Sequence, residues 1–213
     1  SMGSILGLPR FDTAEFEARF PFGKVSLTDK EMPVRVTVLG WSPFIPGDPD
    51  NSSLPVGGLE YVLENTSTKP QEMIFSYHAR NFLSWGKGVD AIKVMPHGFV
   101  LSQAGTEAEP HLQGDFAIFT DEDSPKINYC WFRGGWFDSL TMVWNAIESG
   151  LMPQSPAVEK GAPGASIFIP VTLMPGDKKT IRIYTAWYVP CSTLRIGEEP
   201  EDWNDNNVAP ATL

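Results

Sequence analysis

Positive charge, cysteine and histidine are all scarce in this sequence. Its 213 residues carry 16 Lys and Arg against 26 Asp and Glu, a formal net charge of −10. So few cations cannot form the basic face that neutralises a phosphate backbone, so no nucleic-acid partner is expected. Two cysteines, Cys130 and Cys191, cannot build a metal site alone and allow at most one bridge. The three histidines, His78, His97 and His111, include no pair at ligand spacing, so neither a metal nor a cofactor is expected. No apolar run reaches the roughly 18 residues of a membrane-crossing helix. The first residues lack a signal-peptide pattern, and Ser1-Met2-Gly3-Ser4 reads as a tag remnant.

Reaction motifs are absent too. There is no Gly-x-Ser-x-Gly elbow, no phosphate-cradling glycine loop and no active-site signature around either cysteine. The oxygen-rich run at 48–52 lacks the spacing of a calcium loop and reads as a solvated turn. Glu60, Asp115, Asp138 and Glu148 lie beside aromatics, and a glycosidase needs two such carboxyls converging on one bond. Nothing in their spacing makes any two converge, and no catalytic residue is assigned.

Glycine and proline, by contrast, are plentiful: 19 of each, spread along the whole chain. Proline at that density breaks helical bundles, since it fits neither a helix interior nor a central strand. With 12% aromatics, the balance predicts an all-β fold, a two-sheet antiparallel β-sandwich with one or two short helices.

Residues 12–20 read as a short helix, capped by Asp12 or Thr13 and stopped by Pro21. Alternation of apolar and polar residues predicts strands at 33–38, 59–64 and 73–80, the last two paired across a polar loop at 65–70. Further strands are expected at 91–95, 98–102, 115–121 and 128–132. A second helix runs from Asp138 or Ser139 to about Ser149, where Gly150 ends it. Residues 166–173 and 178–189 read as a hairpin around Pro175-Gly176, the residues of a type II turn. One domain is expected over 21–195, after a tag remnant and helical lead-in at 1–20 and before an acidic tail or linker at 196–213.

Seven tryptophans remain to be placed. Trp144 and Trp187 fall on patterned faces and are assigned to the core. Trp41, Trp85 and Trp136 neighbour Gly or Ser-Pro and are candidates for an interaction surface, as is Phe44. Pro43, Pro46 and Pro49 pre-order the loop that presents Trp41 and Phe44, so little entropy is left to lose on contact. Asn51 and Asn65 each open an Asn-x-Ser sequon.

Several separated motifs occur in a telling order. They are the Pro33-Val34-Arg35-Val36 strand, then Ser42-Pro43-Phe44-Ile45-Pro46 and Ser52-Ser53-Leu54-Pro55. The strand ending in Asn65, then Gly135-Trp136-Phe137-Asp138, Met174-Pro175-Gly176 and Ala186-Trp187-Tyr188 follow. Together they resemble the N-terminal domain of the bile-acid β-glucosidase and non-lysosomal glucosylceramidase family, glycoside hydrolase family 116. The resemblance implies a parent enzyme with a β-sandwich followed by a helical catalytic domain. That domain holds the family's catalytic acids and has no counterpart in this chain, so none carries over. The expected role is a non-catalytic sandwich that braces the helical domain of the same polypeptide. The alternative is a carbohydrate-binding module that uses the loop tryptophans.

Overall fold

Alternating apolar and polar side chains become strands along most of the chain. The computed structural model describes residues 8–84 and 89–192. Among them the strands are β1 (Thr13–Arg19), β2 (Phe22–Thr28), β3 (Val34–Trp41), β4 (Val56–Asn65), β5 (Gln71–Arg80) and β6 (Asp90–Met95). β7 (Gly98–Gln103), β8 (Gly114–Thr120), β9 (Lys126–Asn128), β10 (Gly164–Leu173) and β11 (Lys178–Tyr188) complete the set. Two helices join them, α1 (Pro49–Ser52) and α2 (Ser139–Glu148).

The strands form two antiparallel sheets. The larger runs β1-β2-β3-β4-β11-β8-β7-β6 and the smaller β5-β10-β9. Their inward faces meet in one core: Val34, Val36, Leu63, Phe99, Leu101, Ile118, Ile181 and Ile183 lie opposite Ala165, Ile167, Ile169 and Val171 of β10. The antiparallel two-sheet sandwich is thus the fold that the composition implied.

Local expectations fared less evenly. Residues 13–19 form strand β1, not a helix. Ala14, Phe16 and Ala18 alternate with Glu15, Glu17 and Arg19, and this period-two pattern pairs with β2 in the register Phe16↔Val25. That ladder outweighs the capping signal at Asp12 and Thr13 and adds β1 to the edge of the larger sheet. Neither expected hairpin forms either. β4 pairs with β3 and β11, whereas β5 pairs with β10, so residues 66–70 cross between the sheets. The Pro175-Gly176 turn has the predicted form, with Gly176 at φ +81° and Asp177 N–H donating to Met174 O at 3.0 Å. It nevertheless carries β10 across to β11 in the other sheet. The strand expected over 128–132 stops at Asn128, and Trp187 is 44% exposed rather than core. It points inward from β11, but beyond the reach of the smaller sheet.

One side chain holds the two crossovers together. Asn65 is 1% exposed at the end of β4. Its Nδ2 donates to Lys69 O at 2.8 Å and to Leu173 O at 3.0 Å, while its Oδ1 accepts from Ser67 N and Ser67 Oγ. Its backbone exchanges two further bonds with the turn, Asn65 N to Asp177 O and Gly176 N to Asn65 O.

Helix α2 lies over the outer side of the smaller sheet, started by Asp138, whose carboxylate accepts from Thr141 N. Ile147 and Leu151 there line a cleft with Ile74, Ser76, Phe168 and Pro170. Beneath this layer Ser166 Oγ accepts from Trp131 Nε1 at 2.8 Å and is hydrogen-bonded to His78 Nδ1 at 2.7 Å. His78 Nε2 meets Ser76 Oγ at 2.9 Å. Burial lowers the His78 pKa to about 4, so the ring is neutral at pH 7.

Two expectations follow for stability. Asn65→Ala should cost about 2–4 kcal/mol, because it removes four side-chain hydrogen bonds at once, among them the buried one to Leu173 O; urea denaturation measures it. An unfolded histidine titrates near 6.5, so between that value and 4 the unfolded chain binds the extra proton. The stability tied to His78 is therefore complete above about pH 6.5 and is lost as pH falls toward 4, by on the order of 3 kcal/mol in all. Denaturation midpoints across that window should fall more steeply for the native chain than for His78→Gln.

Candidate interaction face

Opposite the Asn65 crossovers, the two sheets present their other ends to one side of the molecule. The registers Trp41↔Phe22, Trp41↔Gly58, Ala186↔Val56 and Tyr188↔Asp115 bring the ends of β3 and β11 beside the starts of β2, β4 and β8. Gly164↔Arg80 does the same in the smaller sheet. Asn81, just past β5, ties the two ends together through Nδ2 to Ala91 O at 3.3 Å and Ser102 O at 3.5 Å.

Exposed aromatics collect at this end. Phe20, 80% exposed, meets the Phe44 ring edge-on at 4.8 Å. Ile45 and Leu54 are exposed nearby on the same connection. That connection is stiff: Ser52 Oγ bonds both Ile45 N and Ile45 O, and Asp48 caps α1 through Asn51 N. Trp187 stacks on Phe116 at 6.4 Å, and Phe82 packs edge-on against the same ring at 5.0 Å. On the smaller sheet's side, the loop before α2 carries Phe132, Phe137 and Trp136, the last 95% exposed. The Phe132 ring lies against the Gly134 backbone, where any Cβ would collide with it.

The sequence candidates separate here. Phe44 and Trp136 both lie at this end, exposed. Trp41 belongs to neither loop nor end cluster: it is the last residue of β3, half-buried, and its ring lies across Gly58 on the outer face of the larger sheet. Trp85 falls outside the described residues. Pattern reasoning missed Phe20, Phe82 and Trp187. The first had a signal, an aromatic on each side of Pro21 at a strand turn, which the helix assignment obscured.

The carboxylates do not assemble into acid–base machinery. Burial raises the Asp115 pKa, but hydrogen bonds from Lys93 and Ser102 and the Lys93 charge outweigh it and leave the group below its usual value. Asp138 is lowered by the side-chain and backbone hydrogen bonds of Thr141, as a helix cap. Glu60 is paired with Arg182 at 3.3 Å. A general acid at neutral pH needs the opposite shift. The Ser166–His78 pair is buried and shares its serine with Trp131, so it presents no nucleophile. Cys130 is buried and Cys191 half-buried, both as free thiols. Among the described residues, no three His, Cys, Asp or Glu side chains gather as metal ligands, and no helix is long and apolar enough to cross a membrane.

Comparison with known proteins adds one family. The model described as beta-glucosidase 2, glycosyl-hydrolase family 116 N-term, matches residues 6–206. Among solved structures, a protein described provisionally as a kojibiose phosphorylase from the human microbiome is 13% identical. Its TM-score is 0.44, with 78% of this chain and 18% of that one covered. A TPR-domain containing protein from Parabacteroides distasonis is 12% identical at a TM-score of 0.38, with 89% of this chain and 38% of that one covered. The chain thus spans well under half the length of either. No curated protein matches it.

Proposed function

The chain belongs to glycosyl-hydrolase family 116 as its N-terminal domain, and from that premise we propose that it is a non-catalytic β-sandwich bracing a helical catalytic domain of the same polypeptide. The substrates of the whole protein would be β-glucosides or related glycosides. The observation that carries this reading is the gathering of exposed aromatics at one end, with Phe44 and Trp136 as its anchors. Monomeric surfaces rarely leave so many large apolar groups together in water, and such patches mark contact sites. Aromatic anchors on stiff loops lose little entropy on docking, which suits them to that task. Asp115 and Asp138 are engaged within the fold, the first with Lys93 and the second as the cap of α2.

In this reading the open reading frame past codon 213 encodes a helical domain with its own catalytic carboxylates. Phe44→Ser with Trp136→Ser should leave the stability of the 213-residue chain within about 0.5 kcal/mol, because both side chains are exposed in it. In a protein containing both domains the same pair should lower the melting temperature and separate the unfolding of the two domains in calorimetry. An unchanged melting profile in the two-domain protein would sink the docking role.

A further inference from the structure

Beside the strand ends, the outer face of the larger sheet carries a patch of different character. By register Trp41, Gly58, Tyr184 and Phe119 form one row across β3, β4, β11 and β8, and Leu39, Glu60 and Arg182 form the next. Gly58 decides how the first row packs. A Cβ there would sit inside the Trp41 ring, so only glycine lets the indole lie down across β4. Tyr184 stands edge-on to it, 6.3 Å between centroids and 73° between planes. Phe119 stacks behind Tyr184 at 5.4 Å. The result is a flat aromatic floor with an upright aromatic wall.

A polar rim runs along this floor. Arg182 Nε reaches Glu60 Oε1 and Arg182 Nη1 reaches Asp121 Oδ2, each at 3.3 Å. The Tyr184 hydroxyl donates to the same Asp121 oxygen at 3.2 Å. These side chains are all partly exposed. Among the described residues, each carboxylate uses one oxygen in these bonds, and the guanidinium still has Nη2 to offer.

We propose that this patch is a binding site for a neutral saccharide, with Trp41 under the sugar ring and Glu60, Asp121 and Arg182 holding its hydroxyls. The chemistry selects this class over others. A pyranose offers an apolar C–H face to the indole and a rim of hydroxyls that both donate and accept. The rim here answers both, with carboxylate acceptors and a guanidinium donor. An apolar partner would desolvate three charges for no return. An anion would meet Glu60 and Asp121 on a chain of net charge −10. A cation would find both carboxylates already held by Arg182. The site is separate from the docking end, and nothing in it depends on that role.

The test uses the 213-residue chain and three neutral gluco-trisaccharides, cellotriose, laminaritriose and maltotriose, read by saturation-transfer NMR and calorimetric titration. At least one should bind with one site per chain. Trp41→Ala should weaken it about tenfold or more, and Glu60→Gln and Asp121→Asn each several-fold, while Trp136→Ala leaves it unchanged. Thermal melting checks that Trp41→Ala still folds, and the two isosteric carboxylate changes carry the test if it does not. The proposal is overturned if none of the three sugars binds at millimolar concentration, or if binding survives loss of the rim carboxylates. It is equally overturned if binding follows Trp136 instead. Binding to this chain that disappears in a two-domain protein would mean that a neighbouring domain covers the face, and would overturn it as a working site.

Discussion

The sandwich depends on a single buried amide. Two chain segments cross between the sheets side by side, one after β4 and one after β10, and Asn65 bonds to both. Only a side chain that donates twice and accepts twice, on a short stem, can serve there. Aspartate would set a buried charge against the Leu173 carbonyl. The same bonding decides the fate of the Asn65 sequon: its Nδ2 is occupied and buried, so the folded protein offers no acceptor there. Asn51, exposed on α1, keeps its side chain at the surface beside Asp48.

With one end closed in this way, the unequal sheet sizes shape everything else. Three strands cover the middle of an eight-stranded sheet, leaving β1 and the start of β2 as a single layer. β1 is exposed on both faces, with Phe16 69% exposed over Gly23. At the far end of the sandwich the inward faces also run past their cover, which is why Phe116 and Trp187 pack on each other and on Phe82 instead of on the smaller sheet. Phe116, Trp187 and Phe82 thus share one origin, a core that is shorter than the strands which frame it, while Phe44 and Trp136 are carried by connections beyond the strands.

This division also explains what could be read in advance. Strand positions were legible because alternation is local, and so were α2, its Asp138 cap and the Gly150 stop. Strand partners were not, since a turn sequence such as Pro175-Gly176 fixes the reversal but not the sheet that receives the chain. β1 was misread because a capping signal and a period-two pattern overlapped on seven residues. Phe44 and Trp136 could be singled out from their Pro and Gly neighbours alone. The saccharide patch could not. Glu60 and Arg182 lie 122 residues apart, and only the β4–β11 register places them together.

The two aromatic populations face different solvents in a physical sense. At the strand ends the rings pack on one another and stay open to solvent, so water gains most when another apolar surface covers them. Around Trp41 the rings are flat or stacked and edged by paired charges, and complete burial under protein would strip hydration from Arg182, Glu60 and Asp121 together. A partner that brings its own hydroxyls avoids that loss. The chemistry of each surface therefore argues for a different kind of contact, a broad dry one at the strand ends and a small wet one on the sheet. Neither requires a proton donor from this chain.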